Sequence, residues 1–246
     1  MKLDDFRVEL INPEEVKQFV EMHGRMACIC YDTNEKFAER VGKNVVKSGH
    51  LSGSRGLTFK FKLTNIPRAC IDQIVRHNVG FYPQVQSQRY VKVDDMNVYV
   101  PPIADRDDSL KELIYFHSEY TKDIYNAIIE RLAQIGYHGE KANEIARGVL
   151  PMNIESACTI AVTLEGMINF AHKRLCVCSQ EHIRRVCKLM VAEIIKVEPI
   201  YKDSLVAICE HLLWCPESKN RTCGLYPQKD DLLKLLNNNR EALRNE

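Results

Sequence analysis

Apolar residues recur along this chain with the spacings of amphipathic helices and of one clear strand. The longest helix is predicted from about Asp107 to Ile135, where apolar side chains return every three or four positions. Its predicted apolar stripe consists of Leu110, Leu113, Ile114, Tyr120, Ile124, Ile128, Leu132 and Ile135. Residues 57–63 alternate apolar and polar side chains, which is typical of a half-buried strand.

Other segments complete a mixed pattern that is rich in helix. Helical spacing predicts four more helices, at residues 34–48, 140–150, 155–173 and 179–197. Asn65 is predicted to cap a further helix that has Pro67 in its first turn and runs to Arg76. Residues 89–93 and 97–100 are predicted as short extended segments. The predicted fold is therefore α/β (α+β), with a small mixed or antiparallel sheet flanked by long helices.

The composition is that of an ordinary globular protein. The chain has 246 residues, of which 45% are apolar and 27% charged, with a net charge of +1. No repeat or Gly/Ser-rich linker divides it, so a single domain over residues 1–246 is predicted, with a cysteine-rich extension at about 205–246. The balanced charge gives no electrostatic case for a nucleic-acid or membrane partner.

Several protein classes are not indicated by the sequence. No stretch approaches the roughly 20 consecutive apolar residues that a membrane span needs. The first residues are acidic where a signal peptide has an apolar run, so a cytoplasmic protein is predicted. Neither GxGxxG nor GxSxG occurs, so neither a Rossmann turn nor a serine hydrolase is indicated.

Residues 75–90 (VRHNVGFYPQVQSQRY) concentrate hydrogen-bond donors and contain no carboxylate. Arginine forks such as those of Arg76 and Arg89 recognise phosphate through two hydrogen bonds, and Ser87 adds a neutral donor. One interpretation is an anionic ligand bound here. The other is a polar loop whose arginines pair with remote carboxylates.

Two more basic segments have ordinary interpretations when each is taken alone. Arg147 lies among apolar neighbours, as a snorkelling or salt-bridged arginine does. Arg174 lies in the basic run 167–185, which is typical of a solvated helix face. Both become candidates for the anionic-ligand site if folding brings them close to Arg76 and Arg89.

Ten cysteines are present, and a cytoplasmic protein keeps them as thiols or metal ligands rather than disulfides. The spacing of Cys209, His211, Cys215 and Cys223 could supply a tetrahedral zinc site. No CxxC pair occurs in the chain. Unligated thiols are therefore the favoured interpretation and no metal is predicted, with zinc at these four residues as the alternative.

Taken in order, these segments resemble the flavin-dependent thymidylate synthases. Residues 76–78 (RHN) and 87–90 (SQRY) match the two ends of that family's hallmark, and Gln73 falls on a family glutamine. Residues 146–153 (ARGVLPMN) match its ARxVLPxN motif, and Asn169-Phe170 with Arg174 match its NFLxLR motif. The resemblance runs from about residue 27 to residue 193 with the motifs in the same order.

The resemblance implies a methyltransferase of nucleotide biosynthesis with the thymidylate synthase-complementing protein fold. Its members methylate dUMP at C5 to give dTMP, and the methylene comes from methylenetetrahydrofolate. FAD supplies the hydride and NADPH re-reduces the flavin. Members are homotetramers whose active sites are assembled from several subunits, and they use no cysteine nucleophile.

The resemblance also implies roles for individual residues. The implied nucleotide-binding residues are Gln73, Ser87, Arg89, Arg147 and Arg174. Among them Arg174 is the implied catalytic residue, because it stabilises negative charge that develops on O2, N3 or O4 of the base. The implied FAD contacts are Arg76, His77, Asn78 and Asn169.

The sequence departs from the family pattern at several of these places. Asn78 replaces the last arginine of the hallmark triplet, one extra residue precedes Ser87, and the acid usual before that serine is missing. Residues 53–56 (GSRG) replace Pro-Phe-Glu-His, and residues 163–165 (TLE) replace Asn-Ala-Arg. Two alternatives follow: a methylase or hydroxymethylase of another pyrimidine nucleotide, UMP or dCMP, and a non-catalytic nucleotide-binding homologue.

Overall fold

A computed structural model describes residues 5–93 and 95–244, with side chains described up to residue 237. Its sheet has four strands in the order β1-β2-β4-β3. The strands are β1 (Arg7–Leu10), β2 (Thr58–Pro67), β3 (Phe81–Val85) and β4 (Glu155–Thr163). Because β1 pairs with β2 in antiparallel register from Arg7↔Thr64 to Leu10↔Phe61, their side chains alternate together between the two faces.

The two other strand pairs are antiparallel as well. Next to β2 and β4, Arg68 N donates to Ile154 O and Ala69 N donates to Met152 O, both at 2.8 Å. The residue numbers rise along one segment and fall along the other, as they do in an antiparallel pair. Gln86 with Ala157 and Thr163 with Gly80 show the same reversal between β3 and β4. The predicted class, helix-rich with a small antiparallel sheet, is confirmed.

Helices account for most of the remaining chain. They are α1 (Pro13–Val16), α2 (Phe19–Cys30), α3 (Ala38–Lys47), α4 (Arg68–Ile74), α5 (Asp108–Gln134), α6 (Glu140–Ala146), α7 (Leu164–Arg174), α8 (Glu181–Val197), α9 (Ile208–Leu212) and α10 (Lys229–Arg244). Short 3-10 turns lie at Glu35–Phe37, Ser52–Ser54, Pro102–Arg106, Arg147–Val149 and Pro199–Asp203. None of the helices in the described part of the chain is long and apolar enough to cross a membrane.

The chain divides into two compact units, each made of discontinuous segments. The first contains the chain up to residue 11 together with residues 60–78 and 82–161. The second contains residues 12–59, 79–81 and 162 onwards. The single domain expected from the sequence stays a prediction.

The core of the first unit lies under α5. Tyr125 is 1% exposed, and its hydroxyl accepts a hydrogen bond from Val93 N at 3.3 Å. Met96, Val98 and Ile154 pack in the same cluster. Tyr125 therefore combines a large buried apolar surface with a satisfied polar end.

The core of the second unit contains aromatic contacts and one close helix crossing. Phe59 packs on Phe19 and Tyr201 with ring centroids 5.4 and 5.7 Å apart. At the crossing of α2 and α3, a Cβ on Gly24 would lie 1.8 Å from Ala38 O. This crossing can form only because the residue has no side chain.

Several sequence-based boundaries are confirmed and others are wrong. The helices predicted at 34–48, 107–135, 140–150 and 179–197 and the strand at 57–63 all occur, with ends shifted by a few residues. The helix predicted at 155–173 is wrong in its first half, which is β4. There Ser156, Cys158, Ile160 and Val162 are buried at every second position, and a run buried this way has the period of a strand.

Three local predictions also fail. Asn65 does not cap a helix: it lies inside β2 with φ of 57°, and Pro67 occupies the cap of α4. Residues 88–90 form a turn, so the segment 89–93 is not extended as a whole. None of the residues in the predicted apolar stripe is among the buried residues of α5, which are Ser118, Thr121 and Tyr125.

Half of the apolar stripe predicted for α5 is exposed. Among its predicted members, Leu113 is 65% exposed and Tyr120 is 59% exposed. Phe116, which is 71% exposed, stacks on Tyr120 with ring centroids 6.3 Å apart. Helical periodicity located the stripe but could not tell which face meets the core.

In the second unit, the backbone of residues 79–81 contacts the backbone at the start of α7. Thr163 N donates to Gly80 O at 2.9 Å, and Thr163 Oγ1 caps α7 by accepting from Gly166 N at 3.1 Å. Gly80 has φ of 63°, and a Cβ there would lie 2.2 Å from Thr163 Oγ1. A Cβ on Gly166 would lie 2.6 Å from Val79 O. The two segments can touch only because both positions are glycine.

We expect Gly166→Ala to destabilise the protein, because the added methyl group meets backbone carbonyls that cannot move independently. Overpacking of this kind costs about 1–3 kcal/mol. Urea denaturation followed by circular dichroism measures the change. Gly56→Ala is the control, since a Cβ there meets nothing within 4 Å. Equal denaturation midpoints for the two variants would contradict the close contact.

Candidate functional site

Arg89 is held by one face of α6 in the first unit. Its guanidinium lies 2.5 Å from Glu140 Oε1 and 2.8 Å from Glu144 Oε2. Its carbonyl accepts a hydrogen bond from Asn143 Nδ2 at 3.2 Å, and its N–H donates to Ser87 Oγ at 3.2 Å. Both the backbone and the side chain of Arg89 are therefore fixed.

The contact of Arg89 with Glu144 is an ion pair rather than a hydrogen bond. Nε is close to the carboxylate oxygen, yet within the described structure no acceptor meets the hydrogen-bond geometry for this atom. The side chain of Arg89 is 43% exposed, so solvent weakens the attraction. Arg89 thus keeps donors that can turn to a further acceptor.

Arg147 continues the same face of α6. Residues 140, 144 and 147 are separated by four and three positions, which places them one above another on a helix. Arg147 begins the 3-10 turn that follows α6, and it is exposed. Of the predicted nucleotide residues, Ser87 and Arg89 therefore contact each other, and Arg147 follows on the helix face that holds Arg89.

The remaining predicted residues of the first unit cluster at the end of α4. Gln73 lies in its last turn and is half-buried, and Arg76, His77 and Asn78 follow the helix. Arg76 and Asn78 are exposed, while His77 is half-buried. This arrangement presents several hydrogen-bond donors on consecutive residues without a carboxylate among them.

Asn169 and Arg174 lie in the second unit on α7, where both are half-buried. Histidines surround the end of this helix. Burial lowers the pKa of His182, Glu181 opposes that change, and the positive charge of Arg174 lowers the pKa further. Burial also lowers the pKa of His172, as does His211, whose ring centroid is 4.8 Å away. Arg174 therefore has neutral histidine as a neighbour near pH 7. That these residues meet those of the first unit stays a prediction.

Two departures from the family pattern meet in the second unit. Arg55 Nε lies 3.3 Å from Glu165 Oε2. Where the family has Glu and Arg at these positions, this chain has Arg and Glu. The charges are reversed and their sum is unchanged. Both side chains are substantially exposed, so the pair adds little to stability.

A cavity of about 320 Å³ opens beside Gly53 in the same unit. His23, Tyr31 and His50 line it, and Tyr31 Oη lies 3.5 Å from His50 Nδ1. Burial lowers the pKa of His23, against a smaller opposite effect of a hydrogen bond with the His50 backbone. The departure at residues 53–56 borders this cavity.

A second cavity of about 300 Å³ gathers cysteines. Five of them line it, Cys176, Cys178, Cys209, Cys215 and Cys223. His211, which the sequence placed in a candidate zinc set, contacts His172 instead. The cavity thus brings two thiols that follow α7 to three residues of that candidate set, and zinc at these residues stays an alternative.

Comparisons with known proteins agree with the motifs. The family model described as thymidylate synthase complementing protein matches residues 14–200. A flavin-dependent thymidylate synthase of Nitratidesulfovibrio vulgaris is 32% identical over 189 residues, 77% of each chain. One from Pyrococcus furiosus is 31% identical over 229 residues, 86% of this chain and 89% of the relative. One from Clostridium tetani is 30% identical over 177 residues.

These three relatives are all named flavin-dependent thymidylate synthase. The chain belongs to the thymidylate synthase complementing protein family. The resemblance seen in the motifs is confirmed.

Sequence reasoning missed the acidic side chains that hold Arg89. Glu140 and Glu144 are four positions apart on α6, and this spacing was the available signal. For Arg89 the remote-carboxylate interpretation is correct. It does not exclude a ligand, because Arg89 remains partly exposed.

We expect the protein to lose stability as the pH falls below about 6.5, the ordinary pKa of histidine. His23, His172 and His182 have lowered pKa values in the folded protein, so the unfolded chain binds more protons in this range. The free energy of unfolding therefore decreases with falling pH. Melting temperatures measured between pH 7.5 and 5.5 test this.

His182→Gln should make that decrease shallower, because one of the three groups no longer titrates. The same substitution at exposed His138 is the control and should keep the wild-type slope. Identical slopes for all three proteins would contradict the assignment.

Proposed function

We propose that this protein is a flavin-dependent thymidylate synthase that methylates dUMP at C5 to give dTMP. Membership of the family and the names of the relatives support an FAD-dependent methyltransferase acting on a pyrimidine nucleotide. Methylenetetrahydrofolate is the proposed one-carbon donor. FAD, when bound, supplies the hydride, and NADPH restores its reduced form.

The observation that carries the nucleotide site is the α6 face that holds Arg89, with Arg147 following on the same face. A phosphate needs several donors on a fixed framework, and two arginine forks with the Ser87 hydroxyl provide them. Arg89 has five N–H donors, so one edge can stay on the glutamates while another binds phosphate. Glu140 and Glu144 act as positioning residues for Arg89 in this proposal.

The remaining roles follow the chemistry of each side chain. Gln73 orients the nucleotide through its amide. Arg174 lies at the base and stabilises the negative charge that develops as C5 attacks, which is the largest expected contribution to catalysis. Neutral His182 next to Arg174 adds no second positive charge there near pH 7.

The residues after α4 fit an FAD site. FAD carries a negatively charged pyrophosphate, and Arg76, His77, Asn78 and Asn169 offer donors to it. Arg76 and Asn78 are exposed, and no carboxylate occurs between residues 75 and 90 to repel the group. Asn78 in place of arginine removes one positive charge from this set while leaving a donor.

A homotetramer is supported by the apolar surface of α5. Leu113, Phe116 and Tyr120 are each more than half exposed along one side of this helix. Large exposed apolar residues at this density mark protein interfaces. Second copies of the chain are the proposed partners that cover them, and a cytoplasmic location is part of the same proposal.

A second candidate function keeps the flavin and the phosphate site but changes the base. The extra residue before Ser87 and the missing acid alter the loop that carries two of the nucleotide residues. A methylase or hydroxymethylase of UMP or dCMP is the activity that these changes favour. A non-catalytic homologue would bind nucleotide without oxidising NADPH.

We expect Arg89→Lys to raise the dissociation constant of dUMP by about tenfold or more, equal to ~1.4 kcal/mol, because lysine cannot form the two-pronged phosphate contact. Perturbation of the visible flavin band during dUMP titration measures binding. The FAD content should stay at the wild-type level, since Arg89 is not a proposed flavin contact.

Arg131→Lys is the matched control, because exposed Arg131 on α5 donates a hydrogen bond to Gln134 at 2.8 Å and carries no proposed role. It should bind dUMP like the wild type. A wild-type dissociation constant for Arg89→Lys would contradict the phosphate site, and purified protein unable to bind FAD would contradict the proposed function itself.

A further inference from the structure

Half of the ten cysteines meet at one place, and the proposed reaction uses none of them. Cys176 and Cys178 lie in the turn that follows α7, while Cys209, Cys215 and Cys223 come from the chain beyond residue 205. They line a cavity of about 300 Å³ that belongs entirely to the second unit. The family match ends at residue 200, before three of these five cysteines.

Ligand atoms approach one another at the edge of this cavity. The sulfurs of Cys176 and Cys178 and a carboxylate oxygen of Glu217 all lie within 4.8 Å of one another. Two thiolates on one zinc ion are about 3.8 Å apart, since each Zn–S bond is about 2.3 Å long. The trio is therefore close to the spacing of a bound metal.

The backbone around the cavity is irregular. Residues 213–228 contain no helix or strand apart from the isolated bridge between Cys215 and Gln228. Cys178 Sγ donates to Arg221 O at 3.1 Å, and Gln228 Nε2 donates to Glu217 O at 2.8 Å. A long segment without regular structure needs another source of order, and metal ligation supplies it in many small folds.

All five thiols are free, and their burial differs. Cys215 is 7% exposed, Cys223 is exposed, and the other three are half-buried. Arg221 Nε lies 3.3 Å from Glu217 Oε2, so one cation already neutralises that carboxylate. Thiolates, rather than Glu217, are therefore the main ligands available to a metal.

We propose that this cavity is a metal centre bound by cysteine thiolates, with Cys176, Cys178 and two of Cys209, Cys215 and Cys223 as ligands. Four thiolates suit a single zinc ion and equally an iron–sulfur cluster. The centre connects the end of α7 to the segment beyond residue 205. None of its proposed ligands has a role in the nucleotide and flavin sites proposed above.

Metal and sulfide analysis of the full-length protein, purified without oxygen, tests the proposal and identifies the metal. Either about one zinc per chain without sulfide, or about four irons with as much acid-labile sulfide, supports a thiolate centre. Less than about one fifth of either amount, or disulfides linking these cysteines in the untreated protein, would overturn it.

Substitutions then locate the ligands. Cys176→Ser removes one ligand, and the double variant Cys209→Ser/Cys223→Ser removes at least one, because two of three candidates are ligands. Each should lose most of the metal and expose residues 205–228 to limited proteolysis. Cys30→Ser, at an exposed cysteine outside this cavity, should keep the metal. Full metal in Cys176→Ser, or equal loss in Cys30→Ser, would overturn the assignment.

Discussion

The backbone contact between residues 79–81 and the first turn of α7 fixes where that helix begins. Gly80 and Gly166 leave room for no side chain, and Thr163 both pairs with Gly80 and caps α7. Residues 79–81 are therefore held at one backbone position against α7 within the second unit. From the same contact α7 runs on to Asn169 and Arg174, so a change in this turn shifts both of these residues.

The departures from the family pattern look less disruptive in three dimensions than in sequence. Thr163 replaces asparagine, and both residues accept the hydrogen bond that an N-cap requires. Arg55 and Glu165 each reverse the family's charge, and they pair with each other. Asn78 and the extra residue before Ser87 remain as changes in the first unit. The altered chemistry is therefore concentrated in the loop between α4 and Arg89.

The sequence correctly predicted those elements in which apolar side chains recur with one clear period. The helix at 107–135 and the strand at 57–63 had strong periods and were found. β4 was predicted as helix because residues 155–163 (ESACTIAVT) mix small polar and apolar side chains, and such a run fits both periods until its burial is known. The exposed stripe of α5 was visible, but a sequence cannot say whether its own core or another chain covers it.

The candidate site shows the same limit. The motifs located Ser87, Arg89, Arg147 and Arg174, because their spacing follows the family. Glu140 and Glu144 were missed, since partners more than fifty positions away come to Arg89 only through folding. The cysteines illustrate this again: the sequence grouped Cys209, Cys215 and Cys223, while the structure added Cys176 and Cys178 from the end of α7.

Product analysis after a single turnover tests the central claim most directly. The FAD-loaded protein, reduced with NADPH in the absence of oxygen, is mixed with methylenetetrahydrofolate and with dUMP, UMP or dCMP in separate reactions. The account predicts dTMP from dUMP and no methylated product from the other two nucleotides. Product from UMP or dCMP alone, or no product from any of the three with FAD bound, would contradict it.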